Sequence, residues 1–128
     1  MAGARLMKIA LDIDGCISEY PEFFRTLSHA LCGSCDIIVL TNRDPAGRME
    51  TERDLDRWGI RRHEVVFTMD KAKYIVEQGV AVLFEDVDEN IVDLPASVCV
   101  CKVREPENFN FETKRWLYTG RTGERTDG

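Results

Sequence analysis

No stretch of this chain stays apolar for long. The longest runs, Ile37-Ile38-Val39-Leu40 and Val80-Ala81-Val82-Leu83-Phe84, fall far short of the ~20 residues a membrane-crossing helix needs. Residues Met1 to Ile9 hold no apolar core of the length a secretory signal requires. Positive charge is not in excess either: 17 Lys+Arg stand against 23 Asp+Glu, a net −6. That balance argues against a general nucleic-acid coat, although a local basic patch survives it. Internal repeats and linker-like stretches are missing too. The five cysteines (Cys16, Cys32, Cys35, Cys99 and Cys101) are odd in number, and without an export signal they are expected to be reduced thiols. What remains is a soluble, cytoplasmic chain with no membrane partner. Its 128 residues, 44% hydrophobic and 31% charged, make one globular domain over 1–128, with a core over about 6–104 and a tail over about 107–128.

Short apolar runs alternate with helical patterns. Met7–Ile13 reads as a strand ending in acids, and Pro21–Leu31 as a helix with Phe23, Phe24, Leu27 and Leu31 at three- and four-residue spacing. Asp36–Thr41 is a strand. Pro45 opens a helix running to about Trp58, with Gly59 just beyond. Glu64–Thr68 is a short strand, Asp70 caps a helix over Lys71–Gln78, and Gly79 closes it. Val80–Phe84 is a strand, Asp88–Leu94 a short helix, and Ser97–Val103 the last strand. This alternation predicts an α/β fold, a doubly wound Rossmann-like parallel sheet of five strands covered on both faces.

The chemistry concentrates at strand ends. Leu11-Asp12-Ile13-Asp14-Gly15 places two carboxylates where a strand runs out. Carboxylates this close repel by a few kcal/mol at an effective dielectric of about 20, which a sequence tolerates where a cation resides. Leu40-Thr41-Asn42 delivers a hydroxyl, Lys71 stands at a helix start, and Phe84-Glu85-Asp86 delivers two more acids. In a parallel sheet these ends meet at one rim, where α/β proteins bind ligands. An acid cluster, a hydroxyl and a lysine around a hard cation and an anion are the kit for phosphoryl transfer.

Asp12-Ile13-Asp14-Gly15, Leu40-Thr41-Asn42, Lys71 in Asp70-Lys71-Ala72 and Phe84-Glu85-Asp86 resemble, in order, the four motifs of the haloacid dehalogenase (HAD) superfamily. The resemblance covers Lys8 to about Val103. It implies strand order 3-2-1-4-5 and a Mg²⁺-dependent phosphohydrolase, a phosphomonoesterase working through an aspartyl-phosphate. Asp12 would be the nucleophile, and Asp14 general acid and then base. Thr41 and Lys71 would hold phosphate oxygens. Mg²⁺ would sit on Asp12, the backbone carbonyl of Asp14, and the fourth-motif acids, with Asp86 as direct ligand and Glu85 behind it. Lys73 is the rival to Lys71. Asn42 and Arg43 stand at the rim as substrate-binding candidates, and Arg43 is expected to meet a substrate phosphate.

Only 25 residues separate Gly15 from Thr41 and 29 separate Thr41 from Lys71. Family caps insert at these two points, and neither gap has room for one. The site would then be covered by a large substrate or by a second copy in a homo-oligomer. Thr41-Asn42-Arg43 followed by an arginine-bearing helix resembles the phosphatase domain of polynucleotide kinases and, more loosely, the superfamily's nucleotidases. A nucleotide or a short phosphorylated nucleic-acid end is therefore the favoured substrate. A sugar phosphate, or a catalytically silent module of the same fold, is the alternative. A bacterial receiver domain fits less well, because its acceptor Asp would have to precede the Thr and Lys on a middle strand, whereas Asp54 and Asp56 lie in a helical pattern after Thr41.

Other features read as structural. Cys32, Cys35, Cys99 and Cys101 resemble a zinc set, but on the implied order the two pairs lie three strands apart. At ~4.8 Å per step that is about 14 Å, too far for one ion. Arg48, Arg53, Arg57, Arg61 and Arg62 read as a solvated helix face, and His63 as a polar loop residue. Phe109, Phe111, Trp116 and Tyr118 are expected to pack the tail on the domain, with a stacking platform for a base or sugar as the sharper option. The Gly/Arg/Thr-rich end is expected to fray.

Overall fold

The computed structural model describes residues 6–117. Tyr118 and the Gly/Arg/Thr-rich end lie outside the described residues. Five parallel strands, β1 (Met7–Leu11), β2 (Cys35–Thr41), β3 (Glu64–Phe67), β4 (Val82–Glu85) and β5 (Cys99–Lys102), form one sheet in the order β3-β2-β1-β4-β5. Helices α1 (Pro21–Leu31), α2 (Arg48–Trp58) and α3 (Lys71–Gln78) connect them.

Side chains alternate along each strand, so the central strands bury both faces. Ile9 and Leu11 of β1, with Ile37 and Val39 of β2, meet Phe24 of α1 and Leu55 of α2 on one face. Ala10, Ile38, Leu40 and Leu83 meet Ile75 of α3 on the other. This is the doubly wound arrangement expected from the sequence. No helix among the described residues is long and apolar enough to cross a membrane.

α3 begins and ends where its flanking residues dictate. The Asp70 carboxylate accepts from the Lys73 N–H at 3.1 Å, and Gly79 takes the left-handed conformation that closes the helix. Pro45 starts a single 3₁₀ turn over Pro45–Gly47 rather than the helix itself, with the Asp44 side chain accepting from Ala46; α2 follows at Arg48.

One expectation needs correction. Asp88–Leu94 is not a helix: one 3₁₀ turn spans Asp88–Asn90. The Asp88 carbonyl takes both the Ile91 and Val92 amides, its carboxylate is tied to Lys102 at 2.6 Å, and Pro95 follows. The tail also carries structure of its own, an antiparallel hairpin of β6 (Phe109–Asn110) and β7 (Arg115–Trp116). The Phe109 ring meets Phe111 and Trp116 edge-on at 5.0 and 5.1 Å, while Arg104 lies over Phe109 and Lys102 over Trp116.

Candidate active site at the rim of the sheet

β1 is central, with β2 on one side and β4 on the other, so connections leave in opposite directions at its carboxyl end. Leu11 is level with Val39 and Phe84, and the Asp12 amide donates to the Phe84 carbonyl at 3.1 Å. Asp12 therefore emerges between the ends of β2 and β4. The chain then turns tightly: the Ser18 amide donates to the Ile13 carbonyl, and the Gly15 amide to the Ser18 hydroxyl. That turn ends β1 at Leu11, two residues before the expected Ile13.

Lys71, first residue of α3, is 2% exposed and reaches under the rim. Its ammonium donates to Asp12 Oδ1 at 2.7 Å and to Glu85 Oε1 at 3.0 Å. Burial works against the charge on Lys71, but Asp12 and Glu85 more than offset it and its pKa rises. Glu85 is wholly buried, and its Oε2 accepts the Asp86 and Val87 amides at 3.1 and 3.2 Å. Both Glu85 oxygens are thus engaged inside the protein, so it anchors Lys71 and the turn after β4.

Asp12 and Asp86 converge beside Cys16, with one ligand atom of each within 4.8 Å of the others. Burial first, then Glu85, push the Asp12 carboxyl up to about 6 against the pull of Lys71. Burial and contact with Asp12 push Asp86 up to about 10. Burial and the neighbouring acids push the Cys16 thiol up as well, so it stays protonated, and its Sγ stands 3.9 Å from Asp86 Oδ1. Asp12 and Glu85 thus share one ammonium while Asp86 stands beside them without one, and the available donors are oxygens rather than a thiolate. That donor set fits a hard divalent cation between Asp12 and Asp86. Gly15 makes the approach feasible: its φ is +91°, and a Cβ there would sit 2.0 Å from Asp86 Oδ2.

Thr41 ends β2 with its hydroxyl accepting the Arg43 amide at 3.1 Å, and it is 1% exposed. Asn42 is exposed beside it. Asp14 is the most open of the candidate acids, its side chain 63% exposed. Arg43 binds both Asp14 oxygens, at 2.9 and 3.0 Å, and also Asp54 on α2. The bond to Asp14 is the main cause holding the Arg43 guanidinium more firmly charged. Lys73, the rival to Lys71, gives its amide to the Asp70 cap.

Two residues outside the motifs also support the site. Asn108 donates to the carbonyls of Asp86 and Val103 at 2.9 and 2.8 Å and accepts the Glu105 amide, clamping the start of the tail to the loop that carries Asp86. Asp54 holds the far side of Arg43. A polar Glu-x-x-Asn group just past the last strand was the available signal for the first. The second was hidden in an ordinary charged helix, where Arg62 pairs with Glu52 and Asp56, and Arg57 with Asp54. Cys32, Cys35, Cys99 and Cys101 are free thiols, and none of them belongs to the one cluster among the described residues whose ligand atoms lie close enough together to hold a metal ion. His63 accepts the Ile37 amide at 2.9 Å.

Compared with protein-family models, curated proteins and solved structures, the chain matches none.

Proposed function

We propose that this chain is a capless phosphohydrolase of the haloacid dehalogenase type, a Mg²⁺-dependent phosphomonoesterase with Asp12 as nucleophile. The observation that carries the reading is the buried Asp12–Lys71–Glu85 bridge beside Asp86 at the switch point of the sheet. A lysine that fixes one oxygen of a rim carboxylate, next to a second carboxylate suited to a hard cation, is an arrangement for receiving a phosphoryl group.

In this reading Asp12 attacks phosphorus, the bond to the leaving oxygen breaks, and Asp14 gives that oxygen its proton. Asp14 then takes a proton from the water that hydrolyses the aspartyl-phosphate, returning Asp12 and releasing phosphate. Lys71 orients Asp12 and offsets charge on the phosphoryl oxygens, and Thr41 and Asn42 offer further contacts. Asp12, the Asp14 carbonyl and Asp86 would hold Mg²⁺, which neutralises phosphate charge and keeps it in line with the nucleophile. Glu85 acts from behind by holding Lys71 and the Asp86 turn. Arg43 serves Asp14 while they are paired, and is a candidate for a substrate phosphate only if that pair opens. The substrate class favoured by Thr41-Asn42-Arg43 remains a nucleotide or a short phosphorylated nucleic-acid end, with a sugar phosphate as the alternative. With no cap, a large substrate or a second copy of the chain covers the site.

One observation favours a second reading, a silent binding module: both Asp14 oxygens are already occupied by Arg43. A phosphatase screen separates the two. The enzyme reading expects Mg²⁺-dependent phosphate release from nucleotides, 3′-phosphorylated oligonucleotides or sugar phosphates, abolished in Asp12→Asn. Release that survives Asp12→Asn or excess chelator overturns the mechanism. No release from any substrate favours the binding module.

A further inference from the structure

Beside the rim, the turn after β2 and the turn after β3 bound a groove of about 380 Å³. Pro45, Phe67 and Met69 give it apolar walls, while Asn42, Asp44 and Thr68 give it polar edges. Arg43 lines it too and joins it to Asp14. Phe67 is level with Thr41 across β2 and β3, and Leu11 with Val39 across β1 and β2. The groove therefore starts two strands from Asp12, about 10 Å at ~4.8 Å per step. A small phosphate ester held at Asp12 does not reach it, whereas the far end of a longer leaving group does.

An exposed methionine alone is ordinary. Here Met69, 82% exposed, shares the groove with a proline and with the half-buried Phe67 ring. Arg48 stacks over one face of that ring at 4.6 Å without lining the groove, which steadies the ring and leaves the rest of it to the groove.

The charges decide which part of a substrate belongs there. Among the described residues the only cation in the lining is Arg43, already paired with Asp14 and Asp54, and Asp44 adds a carboxylate. The groove therefore disfavours a second phosphate. A bare sugar would turn hydroxyls towards Pro45, Phe67 and Met69, and polar groups left unmet cost free energy. A flat heteroaromatic ring suits both parts of the lining. Its face matches Phe67 and Met69, and its edge offers donors and acceptors to polar side chains. The Thr68 hydroxyl is occupied by the Asp70 amide and Asp44 Oδ1 by the Ala46 amide. That leaves the Asn42 amide, a group that pairs well with a base edge, and the second Asp44 oxygen.

We propose that this groove is a leaving-group subsite that takes a nucleobase, with Phe67 and Met69 as its specificity-determining side chains. The assignment rests on the phosphohydrolase reading and adds to it the place where the substrate's base lies.

Adenosine 5′-monophosphate and ribose 5-phosphate, which lacks the base, test it on the full chain with Mg²⁺. Wild-type kcat/KM should favour the nucleotide at least about fivefold, the low end of what stacking a base contributes. Phe67→Leu keeps an apolar side chain at the end of β3 and should remove most of that preference. Met69→Ser should lower it about fourfold, the equivalent of one buried CH₂ group. Its exposed position covers the case of a Phe67 variant that does not fold. Equal kcat/KM for the two esters in the wild type, or a preference that both variants leave unchanged, would overturn the subsite while the phosphohydrolase reading stands. If neither ester is hydrolysed, that reading fails and a titration with adenosine decides about the groove. Shifts in the amide resonances of Phe67, Thr68 and Met69 that Phe67→Leu abolishes would uphold a base-binding groove, and their absence would overturn it.

Discussion

Arg43 closes its guanidinium on Asp14, with Nε 3.0 Å from Oδ2 and Nη2 2.9 Å from Oδ1. The remaining nitrogen reaches Asp54 at 2.9 Å and Thr51 at 3.4 Å, both on α2. The exposed carboxylate after β1 is therefore fixed to a helix on the far side of β2. A two-point fork sets the plane of a carboxylate as well as its place. If Asp14 is the general acid, Arg43 sets the place and plane of its carboxyl, and one of the two contacts must open for Asp14 to carry a proton.

Arg43→Ala should therefore slow every phosphate ester alike. A misplaced acid costs roughly 10²-fold, and the loss should fall on kcat rather than KM. Arg43→Lys should rescue little, because an ammonium cannot hold both oxygens in one plane. Steady-state kinetics on a nucleotide and on a small generic ester decide the matter. A loss confined to the nucleotide would mean that Arg43 leaves Asp14 to bind substrate.

The contrast between Lys71 and Arg43 shows what was readable in the chain. Lys71 was legible because its neighbours are local: Asp70 caps the helix, Gly79 ends it, and the first turn of α3 must face the rim. Arg43 follows the last residue of β2 by two positions, but its partners Asp14 and Asp54 are chosen by tertiary packing that no spacing encodes. The sheet order came from a resemblance and the strands from their apolar runs, and the observed order agrees with the expected one. The hairpin of β6 and β7 was not legible, because strands of two residues carry no periodicity. Its rings and cations pair through space, and the Asn108 clamp that precedes it looks in sequence like any polar turn. Asp88–Leu94 misled for the opposite reason: its composition allows a helix, but only one 3₁₀ turn forms, with the Asp88 carboxylate drawn to Lys102 and Pro95 following soon after.

Gly15 should be the least replaceable glycine in the described chain. An alanine there must adopt φ near +91° and put its Cβ 2.0 Å from Asp86 Oδ2. The backbone strain alone costs roughly 1–3 kcal/mol, and Asp86 must also move away from Asp12. Gly33→Ala is the control, since nothing lies within 4 Å of its Cβ. Urea unfolding should show Gly15→Ala destabilised by at least the strain and Gly33→Ala within about 0.5 kcal/mol of the wild type. Equal stabilities for the two variants would remove the argument for a close Gly15–Asp86 approach.

Replacing Asp86 should help the fold and harm the site. In the metal-free chain its carboxyl is crowded by Asp12 and Glu85 as well as buried. Asp86→Asn removes one acid from the cluster, so the Tm measured in chelator should rise by about 2–5 °C, the equivalent of roughly 1 kcal/mol in a domain of this size. The stabilisation that a bound cation gives the wild type through mass action should largely vanish. Thermal melts with chelator and with Mg²⁺ test both halves. A lower Tm in chelator would show that Asp86 supports the fold rather than straining it.

The same crowding gives metal-free stability a distinctive pH dependence. Asp12 and Asp86 both begin from an ordinary 3.8 and rise on folding, to about 6 and about 10. Between those limits the folded chain keeps protons that the unfolded chain has released, so these two groups make stability fall as pH rises. Both contribute from about pH 4 to 6, and Asp86 alone continues from there towards 10. The slope from Asp86 should stay below the ~1.4 kcal/mol per pH unit that one whole proton would give, because solvent reaches part of the site. A divalent cation takes the place of those protons, so its affinity, and the stability it adds, should grow from pH 5 to pH 8. Urea melts at the two pH values, in chelator and in Mg²⁺, measure this directly. Asp86→Asn should flatten the metal-free slope above pH 6. Metal-free stability that instead rises from pH 5 to pH 8, or a slope that Asp86→Asn leaves unchanged, would mean that Asp86 is already a comfortable carboxylate in the folded chain and that Asp12 and Asp86 do not need a cation between them.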